Sequence, residues 1–519
     1  MLSLNFNGVW YNRTPEILFI GNFTFNNAQD KSVSVILTNY YNAKVTFPNG
    51  VENVRFYGNS SSRFNSPVYI PDSVTNCSNM FAQLSMYDQP VEIPEGVLDC
   101  ANMFYNCANY NQPTTLPNSV TNCYGMFGFA NKFDQPIRVP GNVTNCASMF
   151  FRCERFNQRV EFDPNLQSAS RIFAMSKFNR NDLVIPENFN ARSLFYSATE
   201  FNQSVTIPDS VTDCGGIFEH CWNFDQPVTL PHNSQNFASA FYSCENFNSP
   251  IAVPDGAVNC TGMFENCANF NQPVDLGNTV VDCTAMFSQS PKFDQNVDFP
   301  DSVVWCSGMF RNTSMSHYCI GNNVYVASNM FCDCKQFPNM PITFPPNVAF
   351  VDGMFRGCVN FNQPLSVPNR LGNMCQIVSG IPNYGHPIYV PRGMAMSGVN
   401  DNGYGTGGEV EHFLNSATAD NVIPYDIYAV GLTKSTMGKN STMNARMGSF
   451  LGMLFARNSG GARINFHTDD SGMAILRNVS LNFNGYRIPW VYSTLAFTNT
   501  DYGMYNAQYN FYVYNDYSG

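Results

Sequence analysis

Paired cysteines are the residues of this chain whose type and spacing could most directly do chemistry. Cys260 and Cys267 lie seven positions apart in CTGMFENCANFNQPV, and similar pairs recur in a sequence that holds 18 cysteines. Thiolates bind zinc and act as nucleophiles, so a metal site and a redox site are the first hypotheses. A structural zinc site needs a closed set of four ligands, and a redox site is usually one exposed thiol. Because the cysteine pairs recur along the chain and do not form a closed set of four, they favour a structural role instead.

The cysteines fall into two columns of a repeat. The first column holds Cys77, Cys100, Cys123, Cys146, Cys214, Cys260, Cys283 and Cys306. The second column holds Cys107, Cys153, Cys221, Cys244, Cys267, Cys334 and Cys358. Other copies carry small or apolar residues there, and free cysteine behaves as a small buried hydrophobe. We therefore predict two core columns and no metal, cofactor or catalytic residue.

The repeat itself is marked by a Met-Phe-like pair. Nine of the twelve intervals between its phenylalanines are 23 residues, and the others are 22, 21 and 24. The phenylalanines are Phe81, Phe104, Phe127, Phe150, Phe173, Phe195, Phe218, Phe241, Phe264, Phe287, Phe310, Phe331 and Phe355. A fixed period of this length is the signature of a solenoid, in which stacked neighbours bury a core that one unit cannot bury alone.

Each unit predicts two local elements. In residues 203–224, Val205 and Ile207 alternate with a polar residue, which indicates a short strand, and Pro208 ends it because proline cannot donate to a ladder. The apolar residues from Val211 to Cys221 follow at spacings of three and four, which suit a helical or 3₁₀ turn. At about 4.8 Å per coil, thirteen coils would form a rod of roughly 60 Å with a parallel sheet along one side.

The predicted fold class is therefore mainly β, with a solenoid of about 13–15 coils between two β-rich ends. Residues 1–62 read as strands that cap or dock the first coil, and 63–392 carry the repeat. A Gly-rich linker is expected at 393–420. Short alternating apolar runs with Gly, Asn and Asp breaks predict an antiparallel β domain at 421–519. The phrase SLNFNG occurs at 3–8 and again at 480–485, by kinship or by coincidence.

The repeat resembles a known family. The order Val-x-Ile-Pro-x-Ser-Val-x-x-Cys-x-x-Met-Phe-x-x-Cys-x-x-Phe is similar to the 23-residue leucine-rich repeat of BspA-type surface proteins, over about residues 63–392. The FNQPV phrase also resembles a related repeat of mycoplasma and other bacterial surface proteins. Cysteine replaces the usual Ile or Gly, and Phe replaces the usual Leu. The resemblance implies a binding scaffold, of the kind found in adhesins and phage structural proteins, rather than a reaction.

The outward residue between the two strand apolars is the best candidate for recognition. A ribbon of mixed polar and aromatic side chains suits contact with a glycan or protein over a long surface, although an ordinary solvated sheet face fits as well. These positions are Tyr69, Glu92, Thr115, Arg138, Glu161, Thr206, Thr229, Ala252, Asp275, Asp298, Thr343, Ser366 and Tyr389.

A further polar column precedes a recurrent Gln. Asp and Asn share it, and no two neighbouring occupants are both Asp, which favours a structural turn ladder over a calcium site that would concentrate carboxylates. Its occupants are Asp88, Asn111, Asp134, Asn157, Asn202, Asp225, Asn248, Asn271, Asp294 and Asn362.

Other constellations are weak. The six histidines are His220, His232, His317, His386, His412 and His467, and they form no ligand or triad spacing. A net charge of −11 without a Lys/Arg block argues against nucleic-acid binding. The sequence also shows no signal-peptide pattern and no apolar run long enough for membrane insertion.

These observations together predict a non-enzymatic virion protein, of a bacteriophage, that is assembled in the host cytoplasm with reduced thiols. Its partners would be other virion proteins, through a terminal β domain, and a host-surface protein or glycan, with homo-oligomeric assembly by analogy to fibres. It would serve as a tail fibre or as a capsid decoration. A cellular BspA-like adhesin is the alternative, and a glycan hydrolase is the second alternative.

Overall fold

The computed structural model describes residues 47, 50–57, 62–166, 169–366, 377–378 and 380–381, together with the backbone of nine further short strands. The strands are β1 (Leu2–Phe6), β2 (Val9–Arg13), β3 (Ser32–Leu37), β4 (Asn53–Tyr57), β5 (Ile137–Val139), β6 (Val160–Phe162), β7 (Ile251–Ala252), β8 (Val274–Asp275), β9 (Leu365–Ser366), β10 (Ile388–Val390), β11 (Asp426–Ala429), β12 (Ile464–Thr468), β13 (Leu481–Phe483), β14 (Tyr486–Ile488) and β15 (Phe511–Asn515). The described part of the chain contains strands and turns but no helix.

The chain divides into two compact units. The first comprises Met1–Asn259 and Asn266–Gln272, and the second comprises Cys260–Glu265 and Pro273–Gly519. Each is described by itself below.

A four-stranded sheet of order β2-β1-β3-β4 begins the first unit. β1 and β2 form an antiparallel hairpin in which Phe6 pairs with Val9, and β3 and β4 run parallel. β4 leads into the repeat, because Asn53 forms a parallel bridge with Asn76 and the Phe56 amide donates to the Met80 carbonyl at 2.8 Å. The strands expected within residues 1–62 are thus present in part, and residues 17–25, which also read as a strand, lie outside the described residues.

Backbone hydrogen bonds join each coil of the first unit to the next. The amides of Cys77, Asn79 and Phe81 donate to carbonyls of the following coil at 2.8–2.9 Å. Within the coil, the Met80 amide donates back to the Cys77 carbonyl at 3.0 Å. The same two sets of bonds recur coil after coil, so the segment around each Met-Phe pair is a stack of tight turns. The predicted helical or 3₁₀ turn is wrong, because every second amide bonds to the neighbouring coil instead of continuing a helix.

Aromatic rings fill the interior of the first unit. Phe81, Phe104 and Phe127 stack with successive ring centroids 5.6 Å apart and planes within 10° of parallel. Tyr110 lies against Phe104 at 3.9 Å between centroids, and both side chains are fully buried. Because stacked rings repeat at the coil spacing, one Phe per coil forms a continuous core.

The second unit uses the same coil. The Cys260 and Phe264 amides donate to the carbonyls of Asp282 and Met286 at 2.9 and 2.8 Å. The rings of Phe264 and Phe287 stack at 5.6 Å with an angle of 7° between them.

The predicted parallel sheet on one side is present only in places. β5 and β6 pair in parallel, with Ile137 opposite Val160, whereas 201–208 forms no strand although Val205 and Ile207 are buried as predicted. Prolines bound most of these short segments and supply no N–H to a ladder. Where Asp163 stands in place of such a proline, its amide donates to the Val139 carbonyl at 3.1 Å. The many prolines therefore limit how many coils contribute a paired strand to the parallel sheet.

The predicted antiparallel domain at 421–519 is wrong for three of its five described strands. β11, β12 and β15 pair in parallel within a sheet of order β15-β12-β11-β10-β9. Only β13 and β14 are antiparallel, with Phe483 opposite Tyr486. Alternating apolar runs identify strands but not their direction, and parallel pairing needs long connections such as those between β10, β11 and β12.

Both copies of SLNFNG fall in hairpins with a two-residue connection, for which Asn-Gly is favoured. The proposed linker at 393–420 lies outside the described residues.

Candidate binding surface

The first cysteine column lies in the core. All eight side chains of that column are fully buried, and burial raises the pKa of the thiols of Cys77, Cys214 and Cys260 to about 12. A thiol with such a pKa stays protonated at neutral pH, so it is neither a nucleophile nor a ready metal ligand. Every cysteine that the structure describes is a free thiol. Among those residues, no group of three or more His, Cys, Asp or Glu side chains is placed to hold a metal ion.

The second cysteine column makes a specific contact. The Sγ of Cys107 donates to the Phe81 carbonyl at 2.9 Å, and the Sγ of Cys153 donates in the same way to Phe127. In one coil a serine replaces the cysteine, and the Ser290 Oγ donates to the Phe264 carbonyl at 2.7 Å. This column therefore provides a small buried donor, which either a thiol or a hydroxyl supplies.

The Asn/Asp column is a hydrogen-bond ladder, as expected. The Oδ1 of Asp88 accepts from the amide of Asn111 at 2.9 Å and from the Nε2 of Gln112 at 2.9 Å. The Oδ1 of Asn111 then accepts from the amide of Asp134 and from the next Gln. Each rung needs only an acceptor oxygen, which explains why Asp and Asn are interchangeable. Asn65, Asn179 and Asn339, which the sequence reading omitted, belong to the same ladder.

A structural signal in the sequence was missed. Two residues of each described Met-Phe turn, such as Asn79 and Gln83, have φ values of 55° and 68°. Glycine at Gly125 and Gly216 adopts the same conformation at the first of these positions, with φ of 57° and 61°. Glycine and asparagine tolerate left-handed backbone best, so their enrichment just before Met-Phe marks this turn.

The histidines form no catalytic arrangement in the described residues. The Nδ1 of His317 lies 3.4 Å from the Oδ1 of Asp294, but the hydroxyl of Ser316 donates to that carboxylate and not to the imidazole. His232 pairs with exposed Asp209 at 3.1 Å, and the hydrogen bond from His232 lowers the pKa of that carboxyl. His220 stands edge-on between two tyrosine rings. His386 and His412 lie outside the described residues, and His467 is known only as a backbone position in β12.

The candidate recognition residues lie on the surface. Twelve of the thirteen are exposed, and their flanking strand residues are buried in each case where the structure describes them, apart from half-buried Phe162, Ile93 and Phe299. The thirteenth, Tyr389, lies in β10, of which only the backbone is described. Exposure alone does not identify a binding site, so ligand contact at these positions stays a prediction.

Three of these residues share a groove in the first unit. Tyr69, Glu92 and Thr115 come from successive coils and line a cavity of about 700 Å³, whose walls include Pro67 and Pro90. Glu95, from the turn after Glu92, lines the same groove. Tyr69 is 63% exposed, which is unusual for an aromatic side chain and makes its ring available to a ligand.

A second, smaller groove of about 270 Å³ adjoins the first through Thr115. Arg138 and Glu161, two further candidates, line it together with Arg159. The arginines are paired: Arg138 lies 3.5 Å from the Asp163 carboxylate, and Arg159 lies 3.1 Å from Glu161. Because these charges already satisfy each other, the second groove offers a ligand less unpaired charge than the first.

One exposed aromatic patch in the second unit was not predicted. Trp305 and Tyr325 are each 45% exposed, and the ring of Phe350 contacts Tyr325 edge-on at 5.5 Å. Trp305, Val326 and Phe350 form consecutive parallel bridges at the position where Asp282 and most earlier coils carry Asn or Asp.

Comparison with known proteins identifies the repeat. The family described as Mycoplasma protein of unknown function, DUF285, matches overlapping segments that together run from 48 to 380, namely 48–138, 95–184, 176–272, 212–320, 235–343 and 282–380. The expected resemblance to a mycoplasma repeat is therefore confirmed. No curated protein matches the chain.

Two of the similar solved structures are described as leucine-rich proteins. One is a leucine rich cell surface protein from Faecalibacterium prausnitzii A2-165, with a TM-score of 0.36, 17% identity and coverage of 73% of this chain and 94% of that one. Another is a leucine-rich repeat protein from Bacteroides ovatus ATCC 8483, with a TM-score of 0.36, 16% identity and coverage of 67% and 94%. The pneumococcal vaccine antigen PcpA aligns with a TM-score of 0.28 and 11% identity over 94% and 96%.

Membrane-spanning helices are not found within the described part of the chain, where no helix has the required length and hydropathy.

Proposed function

We propose that this chain, which belongs to the family described as Mycoplasma protein of unknown function, DUF285, is a non-enzymatic binding protein. Its repeat presents the exposed strand-face residues of successive coils to a protein or glycan on a host surface. The proposal takes the groove lined by Tyr69, Glu92, Glu95 and Thr115 as the principal contact.

The observation that carries the proposal is the contrast between buried strand residues, which stay apolar from coil to coil, and the exposed residues between them, which vary. Buried strand residues stay apolar from coil to coil, as at Val68, Val91 and Val205, because each must fill the same core. The exposed residue between them changes from Tyr69 to Glu92 without any such packing constraint. A surface that varies in this way, and that forms a groove across coils, is suited to recognition.

The same groove favours binding over glycan hydrolysis. A glycosidase needs one carboxyl group in a desolvated setting to hold its proton, and a second carboxylate to assist. Glu92 and Glu95 are both exposed to solvent. Neither position supplies the desolvation that a general acid requires, so the non-enzymatic function is the better proposal.

We place the protein on a virion of a bacteriophage, where it would dock through a terminal β region and act as a fibre or decoration. The support is that every described cysteine is a free thiol and nearly all of them are buried, which fits assembly in a reducing cytoplasm. A cellular adhesin remains the competing proposal. Antibody labelling of purified particles tests the location: label on particles is expected, and intact particles without label would reject the virion proposal.

Binding is tested with the whole chain and envelopes of candidate host cells. Retention on envelopes is expected to fall when the groove is altered by Tyr69→Leu with Glu92→Gln. The matched control is Glu154→Gln, which changes an exposed carboxylate that lies outside both the groove and the strand-face positions. Equal retention of both variants would refute the groove as the contact, and release of reducing ends from envelope glycans would refute the non-enzymatic function.

A further inference from the structure

The groove of Tyr69, Glu92 and Glu95 has a chemistry that selects among partners. Its walls are largely apolar, with Pro67, Pro90 and the strand residues between them. The polar groups on those walls are two carboxylates, one hydroxyl and one phenol. No basic side chain lines it, in contrast to the adjoining groove, where arginines are present.

The two carboxylates are available to a ligand. Neither Glu92 nor Glu95 has an ion-pair partner among the residues that the structure describes, and both are exposed. The chain as a whole carries a net charge of −11, so its field attracts a cation and repels an anion. An occupant that pairs with this groove therefore has to carry positive charge.

Tyr69 provides an independent observation in the same direction. Its ring is 63% exposed in the coil next to Glu92, and the face of a phenol ring attracts guanidinium and ammonium groups. An aromatic ring beside two carboxylates offers a cation both a π face and charge-assisted hydrogen bonds. A neutral sugar would donate hydroxyl hydrogen bonds to the carboxylates, but it would bring no positive charge to pair with them.

The size of the groove limits the occupant to a short extended segment. Its lining residues come from three successive coils, so it extends about 10 Å along the stack at roughly 4.8 Å per coil. A peptide in extended conformation covers that length with three to four residues at about 3.3 Å each. Proline walls favour apolar contacts on both sides of the bound charge.

We propose, building on the proposed binding function, that this groove binds an extended cationic peptide segment, in which an arginine or lysine side chain is held between the ring of Tyr69 and the carboxylates of Glu92 and Glu95. The partner is accordingly a protein that displays a basic, partly apolar segment. A glycan partner would donate hydroxyl groups to these carboxylates, and its binding would not require a positive charge in the ligand.

Fluorescence anisotropy with the full chain tests the proposal. The probe is a fluorescein-labelled Pro-Arg-Val-Arg amide, and the control probe carries citrulline, a neutral isostere, in place of arginine. The citrulline peptide is expected to bind at least about tenfold more weakly, because its neutral side chain loses both the charge pairing with the carboxylates and the cation–π contact with Tyr69. Binding is expected to weaken with added salt.

Variants locate the contact. Glu92→Gln with Glu95→Gln is expected to weaken arginine-peptide binding about tenfold, and Tyr69→Leu about threefold, with the citrulline peptide unaffected. Glu154→Gln, which changes an exposed carboxylate outside both grooves and the strand-face positions, should leave the Kd within twofold of the original. All four side chains are exposed, and urea unfolding of each variant checks that folding is unchanged.

Equal affinity for the arginine and citrulline peptides, or an equal effect of Glu154→Gln, would overturn the proposal. If envelopes retain the protein but free oligosaccharides and not the arginine peptide compete, the partner is a glycan and the inference is wrong while the binding function stands. If no envelope retains the protein, the binding function itself fails, whatever the peptide shows.

Discussion

Two buried tyrosines in neighbouring coils offer a sharp test of how this core is stabilised. Tyr87 and Tyr110 occupy the position that Phe133 and Phe156 fill in the following coils, and both tyrosine side chains are fully buried. The hydroxyl of Tyr110 lies 2.8 Å from the Oγ1 of Thr114. The hydroxyl of Tyr87 has no hydrogen-bond partner within the described protein, because its coil carries Val91 where Thr114 stands.

The two Tyr→Phe substitutions should therefore have opposite signs. An unsatisfied buried hydroxyl costs about 1–3 kcal/mol, and a typical hydrogen bond contributes about 1 kcal/mol. Tyr87→Phe removes an unpaired group and should raise the free energy of unfolding by about 1 kcal/mol. Tyr110→Phe removes a satisfied group and should lower it by about 1 kcal/mol. Although both variants lose the same atom, their free energies of unfolding should differ by about 2 kcal/mol.

Urea unfolding of the whole chain measures this difference. With an m value of about 2 kcal/mol per molar, the midpoints of the two variants should differ by about 1 M. Repeat arrays unfold by units, so hydrogen exchange of amides such as Leu84 and Cys107 provides a local readout. In that readout, a tenfold change in protection corresponds to about 1.4 kcal/mol. If Tyr87→Phe destabilises as much as Tyr110→Phe, the buried hydroxyl of Tyr87 is not unpaired.

A double-mutant cycle adds a control. Val91→Thr supplies the missing partner, so it should stabilise the chain relative to the same substitution made beside Tyr87→Phe. A coupling free energy of about 1 kcal/mol is expected between positions 87 and 91. A coupling near zero would contradict the assigned cause.

Four further predictions concern the ladder and the thiols. Asn179→Ala removes the acceptor of one amide and one Gln side chain, so it should lower the free energy of unfolding by about 1–3 kcal/mol, while Asn179→Asp, between two asparagines, should have little effect. Asn111→Asp, between two aspartates, should destabilise the chain because like charges then lie in neighbouring coils, and 1 M salt should reduce that destabilisation in urea titrations. Cys107→Ser should be tolerated because Ser290 already makes the same bond. Cys100→Ser should lower the free energy of unfolding by about 1–3 kcal/mol, because the side chain is buried without a hydrogen-bond partner among the described residues. Burial raises the pKa of thiols such as Cys77 from 9.0 to about 12, so the folded state keeps protons that the unfolded state loses. The free energy of unfolding should therefore fall as pH rises from 9 towards 12. A urea midpoint that stays constant between pH 8 and 10.5 would contradict this prediction.

Several features of the structure were predictable because burial repeats. Period, buried columns and exposed strand positions all depend on which side chains must avoid water in every coil. Cys77 and Phe81 recur with the same spacing and are buried in the same way. The Asn/Asp ladder was also predictable, since its composition reflects a requirement for an acceptor oxygen in a turn.

Backbone geometry was predictable only in part. The spacing between Val211 and Cys221 fits a helix as well as a stack of turns, because both bury one side of the segment. The left-handed residues at Asn79 and Gly125 distinguish the two, and their amides bond to the following coil, which is distant in sequence. The same limit applies to β11 and β12, whose alternation of apolar residues carries no information about parallel or antiparallel pairing.

The sequence by itself determined the coil: its length, its buried columns and the exposed position between two strand apolars. Tertiary structure alone decided which exposed residues meet. Glu92 and Glu95 are close in sequence, but Tyr69 and Thr115 reach the same groove only because coils stack at a constant register. The spacing of apolar residues within each repeat determines which side chains are buried, whereas the juxtaposition of exposed residues depends on hydrogen bonds between coils whose residues are far apart in sequence.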